Sequence, residues 1–80
     1  MKLPPMTALQ YFTEAAAQNS FKSAAKTLNI TESAISRQIK LLEEFFGQSL
    51  FERLGRGVTL TAAGQRLLAA SGPAFQQISQ

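Results

Sequence analysis

The stretch from Thr31 to Gly47, TESAISRQIKLLEEFFG, constrains the fold more than any other part of the chain. Thr31 is expected to cap a helix, because its hydroxyl can accept from a free backbone N–H of the first turn. Gly47 is expected to end that helix, since glycine takes the left-handed conformation at no steric cost. Between them Ile35, Ile39, Leu42 and Phe46 recur at helical spacing and form one apolar stripe. Glu32, Ser33, Ser36, Arg37 and Lys40 fall on a different arc, roughly opposite at ~100° per residue. One face is built for a core. The other carries short hydroxyls, one carboxylate and two cations near the helix start.

The segments before this helix have the same period. The prolines of the lead-in resist helix up to Met6. Leu9, Phe12, Ala15 and Ala16 then predict a first helix running to Gln18. Asn19 and Ser20 break it, and Ser20 can cap a short second helix, FKSAAKTL. There Phe21, Ala24, Ala25 and Leu28 face inward while Lys22 and Lys26 face water. Asn29 tolerates the left-handed turn conformation, and Ile30 plugs the corner before the Thr31 cap. Two helices joined by so tight a turn, with alanines where they cross, suggest a helix-turn-helix unit. An ordinary helical hairpin is the competing reading of that stretch.

After Gly47 the period changes. Leu50 and Phe51, then Val58 and Leu60, flank the GRG at Gly55 to Gly57, which predicts a short β-hairpin with a glycine-hinged tip. Arg53 and Arg56 sit on or beside that tip. A helix-turn-helix followed at once by a small hairpin is a winged helix. Thr61 then caps a final helix with Leu67, Leu68, Phe75 and Ile78 as apolar members. Gly72-Pro73 is expected to bend or interrupt it, because proline removes one donor and clashes with the preceding turn. Tyr11 and all six phenylalanines are assigned to core or dimer positions.

Composition excludes much else. Eighty residues make one small domain, and a hydrophobic content of 45% is ordinary for a globular one. With no cysteine and no histidine, disulfide staples, thiolate metal sites, the commonest zinc ligand and the usual general base are excluded. Of the five carboxylates only Glu43 and Glu44 are adjacent, and helix neighbours point apart, so the pair reads as a solvated face. No catalytic residues, no metal and no enzyme activity are expected. No apolar run approaches ~18 residues, and the start, MKLPPM, lacks the apolar segment of a signal peptide. A cytoplasmic protein without membrane contact is expected. A net charge of +3 and a sequence pI ≈ 9.8 favour an anionic partner.

Three pieces, LQYFTEAAAQNSFKSAAKTLNIT, ESAISRQIKLLEEFFGQSLFER and GRGVTLTAAG, resemble the N-terminal domain of LysR-type transcriptional regulators. The family's hallmarks occur in order: SF before the alanine pair, SRQIK..LE, LFER and LT.AG. The opening LPP is similar to the branch that includes regulators of glycine cleavage and of β-lactamase expression. The resemblance implies a mainly α winged helix-turn-helix DNA-binding domain of bacterial origin over residues 1–61. It implies a linker helix that dimerises over 62–80, and a nucleoid-associated location. It further implies a small-molecule effector bound by a C-terminal domain absent from this chain. The partners it implies are double-stranded DNA and a second copy of the chain. For the full-length protein it allows a tetramer and a contact with RNA polymerase. One departure concerns Glu32, where the family usually carries a base-reading glutamine. Glutamate only accepts, so Glu32 could take a hydrogen bond from a cytosine or adenine amino group but would repel phosphate. Ser33 stands where a proline is common.

With the third helix in the major groove, Glu32, Ser33, Ser36 and Arg37 would face base edges. Arg37 can fork onto guanine O6 and N7 or clamp a phosphate. Thr31, Lys22, Lys26 and Lys40 are the phosphate candidates. Arg56 at the wing tip is placed to enter a narrow minor groove, and Arg53 beside it to meet backbone. Leu67, Leu68, Ser71, Phe75 and Ile78 are the dimerisation candidates, and a dimer would favour an interrupted, dyad-symmetric operator. The alternative from another class is a winged helix that serves as a protein-interaction module without nucleic-acid binding. The cationic helix face and the wing arginines argue against it. An RNA-binding winged helix lacks stacking aromatics on the exposed face.

Overall fold

Side-chain caps place three of the four helix starts. In the computed structural model, which describes residues 3–79 with side chains through Ser71, four helices and one hairpin follow in order. Helix α1 (Met6–Gln18) begins behind Pro5 with no side-chain cap and ends at Asn19, left-handed at φ 52°. Helix α2 (Phe21–Leu28) is capped by Ser20, whose hydroxyl accepts from the Ser23 N–H at 3.0 Å. Asn29 ends it at φ 60°. Helix α3 (Glu32–Phe46) is capped by Thr31, which accepts from Ala34 N–H at 3.0 Å, and stops at Gly47, φ 67°. Strands β1 (Phe51–Arg53) and β2 (Val58–Leu60) pair antiparallel, Phe51 opposite Leu60 and Arg53 opposite Val58. Helix α4 (Ala62–Ser79) follows. The winged helix-turn-helix read from the residues is the observed architecture.

The core lies where α1 crosses α2 and α3. Leu9, Phe12, Ala15 and Ala16 of α1 meet Phe21, Ala24 and Ala25 of α2 and Ile35, Ile39 and Leu42 of α3. Ala24 and Ala25 are fully buried, so any larger side chain there would push the helices apart. Leu50, Phe51 and Val58 close the core from the hairpin side, while Tyr11, Leu28 and Ile30 pack half-buried at its rim.

Two expectations are corrected. The apolar stripe of α3 ends at Leu42, because periodicity states where a side chain points and not whether a neighbour meets it. Phe46 is 38% exposed, and so is Phe45, the two rings meeting edge-to-face at 5.0 Å. Phe45 and Phe46 thus lie outside the core of the single chain, and Phe75 lies outside the described side chains. Helix α4 also runs through Gly72-Pro73 without interruption. Proline removes one donor from the ladder, and the remaining bonds carry the helix past it. Among the described residues no helix is long and apolar enough to cross a membrane.

Helix α4 is held to the wing at its first turn. The Thr61 hydroxyl accepts from Gly64 N–H at 3.0 Å and donates to the Ser49 carbonyl at 2.6 Å, while Thr61 N–H donates to the Leu50 carbonyl at 3.0 Å. Gly64 is buried so tightly that a Cβ would overlap the Leu50 carbonyl oxygen and lie 2.8 Å from Leu60 Cδ2. Helix propensity alone predicts that Gly64→Ala gains about 1 kcal/mol. The overlap predicts instead a net loss of about 1–3 kcal/mol by urea denaturation. A stabilised variant would mean that α4 moves freely away from Leu50 and Leu60.

Candidate nucleic-acid interface

The outward arc of α3 begins at its cap. Glu32, Ser33, Arg37 and Lys40 are exposed and Ser36 is half-buried, so all five reach the surface. They do not share one surface, however. Ser36 and Lys40 line a cleft with Phe21, Phe51 and Arg53, whereas Arg37 lies with Lys40, Leu41 and Glu44. Glu32 is three residues before Ile35 and so only ~60° from the core direction. It lines the groove facing the wing, together with Lys22, Arg53 and Arg56. Glu32 thus sits at the edge of the arc nearest the wing rather than opposite the core. Lys22 and Lys26 stand one turn apart on α2, both exposed.

The hairpin is seated on the helices by contacts that composition does not reveal. Leu54 N–H donates to the Gly57 carbonyl at 2.8 Å and closes a four-residue turn. Neither Gly55 nor Gly57 has positive φ, so the expected glycine hinge is not the reason for these residues. Gly57 is needed for close approach: a Cβ there would lie 2.6 Å from the Asn19 carbonyl oxygen. The adjacent Val58 N–H donates to that same oxygen at 3.1 Å. The left-handed Asn19 that ends α1 therefore also docks the wing.

Arg53 and Arg56 occupy different places. Arg53 belongs to the last pair of the ladder, and its guanidinium lies 5.1 Å over the Phe21 ring. Such a cation–π contact draws it back toward α2. Arg56 stands exposed in the turn itself, beside Leu54, which is 58% exposed. Lys22, Arg53 and Arg56 line the groove between α2, the start of α3 and the wing, relieved there by Glu32; Lys40 joins Arg53 in the neighbouring cleft, and Arg37 lies beyond Lys40 beside Leu41 and Glu44.

Glu43 was expected on a solvated face, and this is corrected. Its carboxylate accepts from Leu50 N–H at 2.8 Å and from Phe51 N–H at 3.4 Å. Its carbonyl accepts from Gln48 N–H at 3.2 Å and from the Gly47 N–H. One residue thus organises the passage from α3 into β1. Its spacing of four from Ile39 puts it on the flank of the buried stripe, and that signal could have found it.

On α4, Leu67 and Leu68 are half-buried against the core of their own domain. The Ser71 hydroxyl donates to the Leu67 carbonyl at 2.7 Å. The Phe75 and Ile78 side chains lie outside the described residues. Among the described residues no group of side chains is placed to hold a metal ion.

Residues 6–65 match the family described as bacterial regulatory helix-turn-helix proteins of the lysR family. The chain belongs to the LysR family. It is 46% identical over 76 residues to the HTH-type transcriptional regulator TrpI of Pseudomonas aeruginosa, covering 95% of this chain and 26% of that protein. It is 42% identical over 79 residues to the glycine cleavage system transcriptional activator of Escherichia coli, covering 99% and 26%. This LysR-family chain therefore spans about a quarter of the length of the curated relatives it matches. Among solved structures it superposes on the CbnR DBD–DNA complex with a TM-score of 0.85 at 33% identity, covering 94% of this chain and 86% of that one.

The hydrogen bonds of Glu43 separate two adjacent glutamates. Glu43→Ala should cost about 1–3 kcal/mol, because two backbone donors at a buried corner lose their acceptor. Glu44→Ala, which is exposed, should stay within about 0.5 kcal/mol. Equal thermal melts for the two variants would contradict the anchoring role.

Proposed function

We propose that the chain is the sequence-specific, double-stranded DNA-binding part of a dimeric LysR-family transcriptional regulator. Helix α3 lies in the major groove and the wing in the adjacent minor groove of an interrupted, dyad-symmetric operator. The observation that carries this reading is the cationic surface shared by α2, α3 and the wing, on a fold that matches a protein bound to DNA.

The roles follow from position. Arg37, exposed one turn beyond Ser33, forks onto guanine O6 and N7. Ser33 and Ser36 reach base edges from the same arc. Glu32, on the wing side of the helix start, accepts from a cytosine or adenine amino group, with Arg53 and Arg56 nearby to offset its repulsion of phosphate. Lys22, Lys26 and Lys40, with the Thr31-capped start of α3, hold phosphates and set the register without reading sequence. Arg56 enters the minor groove, where A·T-rich sequence concentrates negative potential. Helix α4 dimerises through Leu67, Leu68, Ser71, Phe75 and Ile78, the first two of which also pack half-buried against their own core.

This reading carries others with it. The protein works in the cytoplasm, on the nucleoid, and not as an enzyme. A small-molecule effector and RNA polymerase act through the part of the regulator beyond the region matched here, where a tetramer is also assembled.

Selection of duplexes from a random pool by the purified chain tests the reading. The expected winner is an interrupted palindrome whose affinity falls steeply with salt, as phosphate neutralisation requires. Uniform enrichment with no preferred sequence would contradict it. On the selected duplex, Arg37→Ala should weaken binding by roughly 1–3 kcal/mol in anisotropy titrations with the fold retained. Unchanged affinity would remove Arg37 from the bases.

A further inference from the structure

The wing turn presents an apolar side chain where a cationic one would serve a phosphate contact better. Leu54 is 58% exposed and lies in the same groove lining as Arg53, Arg56 and Lys22. Its position is set on three sides. The Leu54 N–H bond to the Gly57 carbonyl fixes the turn at 2.8 Å. The Val58 N–H bond to Asn19 and the close approach of Gly57 fix the turn on the helices. The Arg53 guanidinium, held over the Phe21 ring, is withdrawn from the tip. What remains to project is Leu54 beside Arg56, with only Gly55 between them.

Resting on the DNA-binding reading above, we propose that Leu54 is a specificity-determining residue of the wing. Its side chain is an apolar contact with the minor-groove floor that admits A·T pairs and rejects G·C pairs. The chemistry is a matter of one amino group. In the minor groove A·T and T·A show only acceptors, whereas G·C adds the guanine N2 amino donor. Leucine has no acceptor, so pressing it against that amino group strips its water and leaves the donor unpaired. Over A·T pairs the same side chain covers a floor without a protruding donor. Arg56 supplies attraction to a narrow groove, and Leu54 supplies rejection of the wrong pair. The two residues act on different features: Arg56 on the width and potential of the groove, Leu54 on the guanine amino group itself.

Inosine separates this from every major-groove effect, because I·C keeps the major-groove pattern of G·C and lacks only the N2 amino group. Anisotropy titrations would compare the selected duplex carrying A·T, G·C or I·C pairs in the flanks beneath the wing. The unaltered chain should bind the I·C and A·T flanks alike and the G·C flank roughly tenfold more weakly, as an unpaired donor requires. Leu54→Asn, which offers an acceptor from an exposed position, should melt with the parent and reduce the I·C to G·C ratio to within about twofold. Arg56→Ala should weaken all three duplexes and still leave the I·C duplex bound more tightly than the G·C one, because Leu54 still meets the amino group. A Leu54→Asn variant with the full G·C penalty overturns the proposal, as does a parent chain that binds I·C and G·C flanks alike. Both results leave the DNA-binding reading standing. Failure to bind any duplex overturns that reading, and this inference with it.

Discussion

The Phe51 ring is the contact on which the rest of the structure depends. It packs 5.4 Å from Phe12 of α1 and 5.2 Å from Phe21 of α2, edge-to-face with the latter. One side chain on the first residue of β1 thus joins the hairpin to both helices. Aromatic pairs of this geometry stabilise beyond the area they bury. Because Phe21 also carries the Arg53 guanidinium on its face, the apolar seat of the wing and its cationic surface share a ring. Loosen Phe51, and the wing loses its position relative to α3.

Around that ring the polar contacts are arranged to leave little freedom. Glu43 fixes the exit from α3, Asn19 accepts the Val58 N–H, and Thr61 ties the start of α4 to Ser49 and Leu50. Each satisfies backbone groups that lie outside the helix and strand ladders. The consequence for function is geometric. On the proposed DNA-binding reading, a helix and a wing that enter adjacent grooves would be set by the domain before any DNA arrives, leaving little ordering to be done on binding. Charge then adds what shape does not supply, through lysines and arginines displayed on the same side.

Local rules made much of this legible from the residues. Ser20, Thr31, Asn29 and Gly47 mark helix ends because their preferences are decided within one turn of chain. Ile35, Ile39 and Leu42 declared the buried face for the same reason. What escaped is what depends on meetings between distant segments. Gly57 and Gly64 look like flexible residues, and their necessity lies in the Asn19 and Leu50 carbonyls that they approach. Glu43 looks like half of a solvated pair until Leu50 and Phe51 fold back onto it. Phe46 has the right period, but its end of the helix lies past the core and leaves the ring partly exposed beside Phe45. Arg53 reads as a free wing cation, and only the arrival of Phe21 draws it aside.

On the proposed reading, α3 and the wing read two grooves at once as a single rigid surface. Methylation interference tests it most directly, since one reagent marks guanine N7 in the major groove and adenine N3 in the minor groove. Interference is expected at guanine N7 within each half-site and at adenine N3 in the flanks, both lost together in a Phe51→Ala variant that remains folded. Interference confined to one groove, or wing contacts that survive the loss of Phe51, would contradict it.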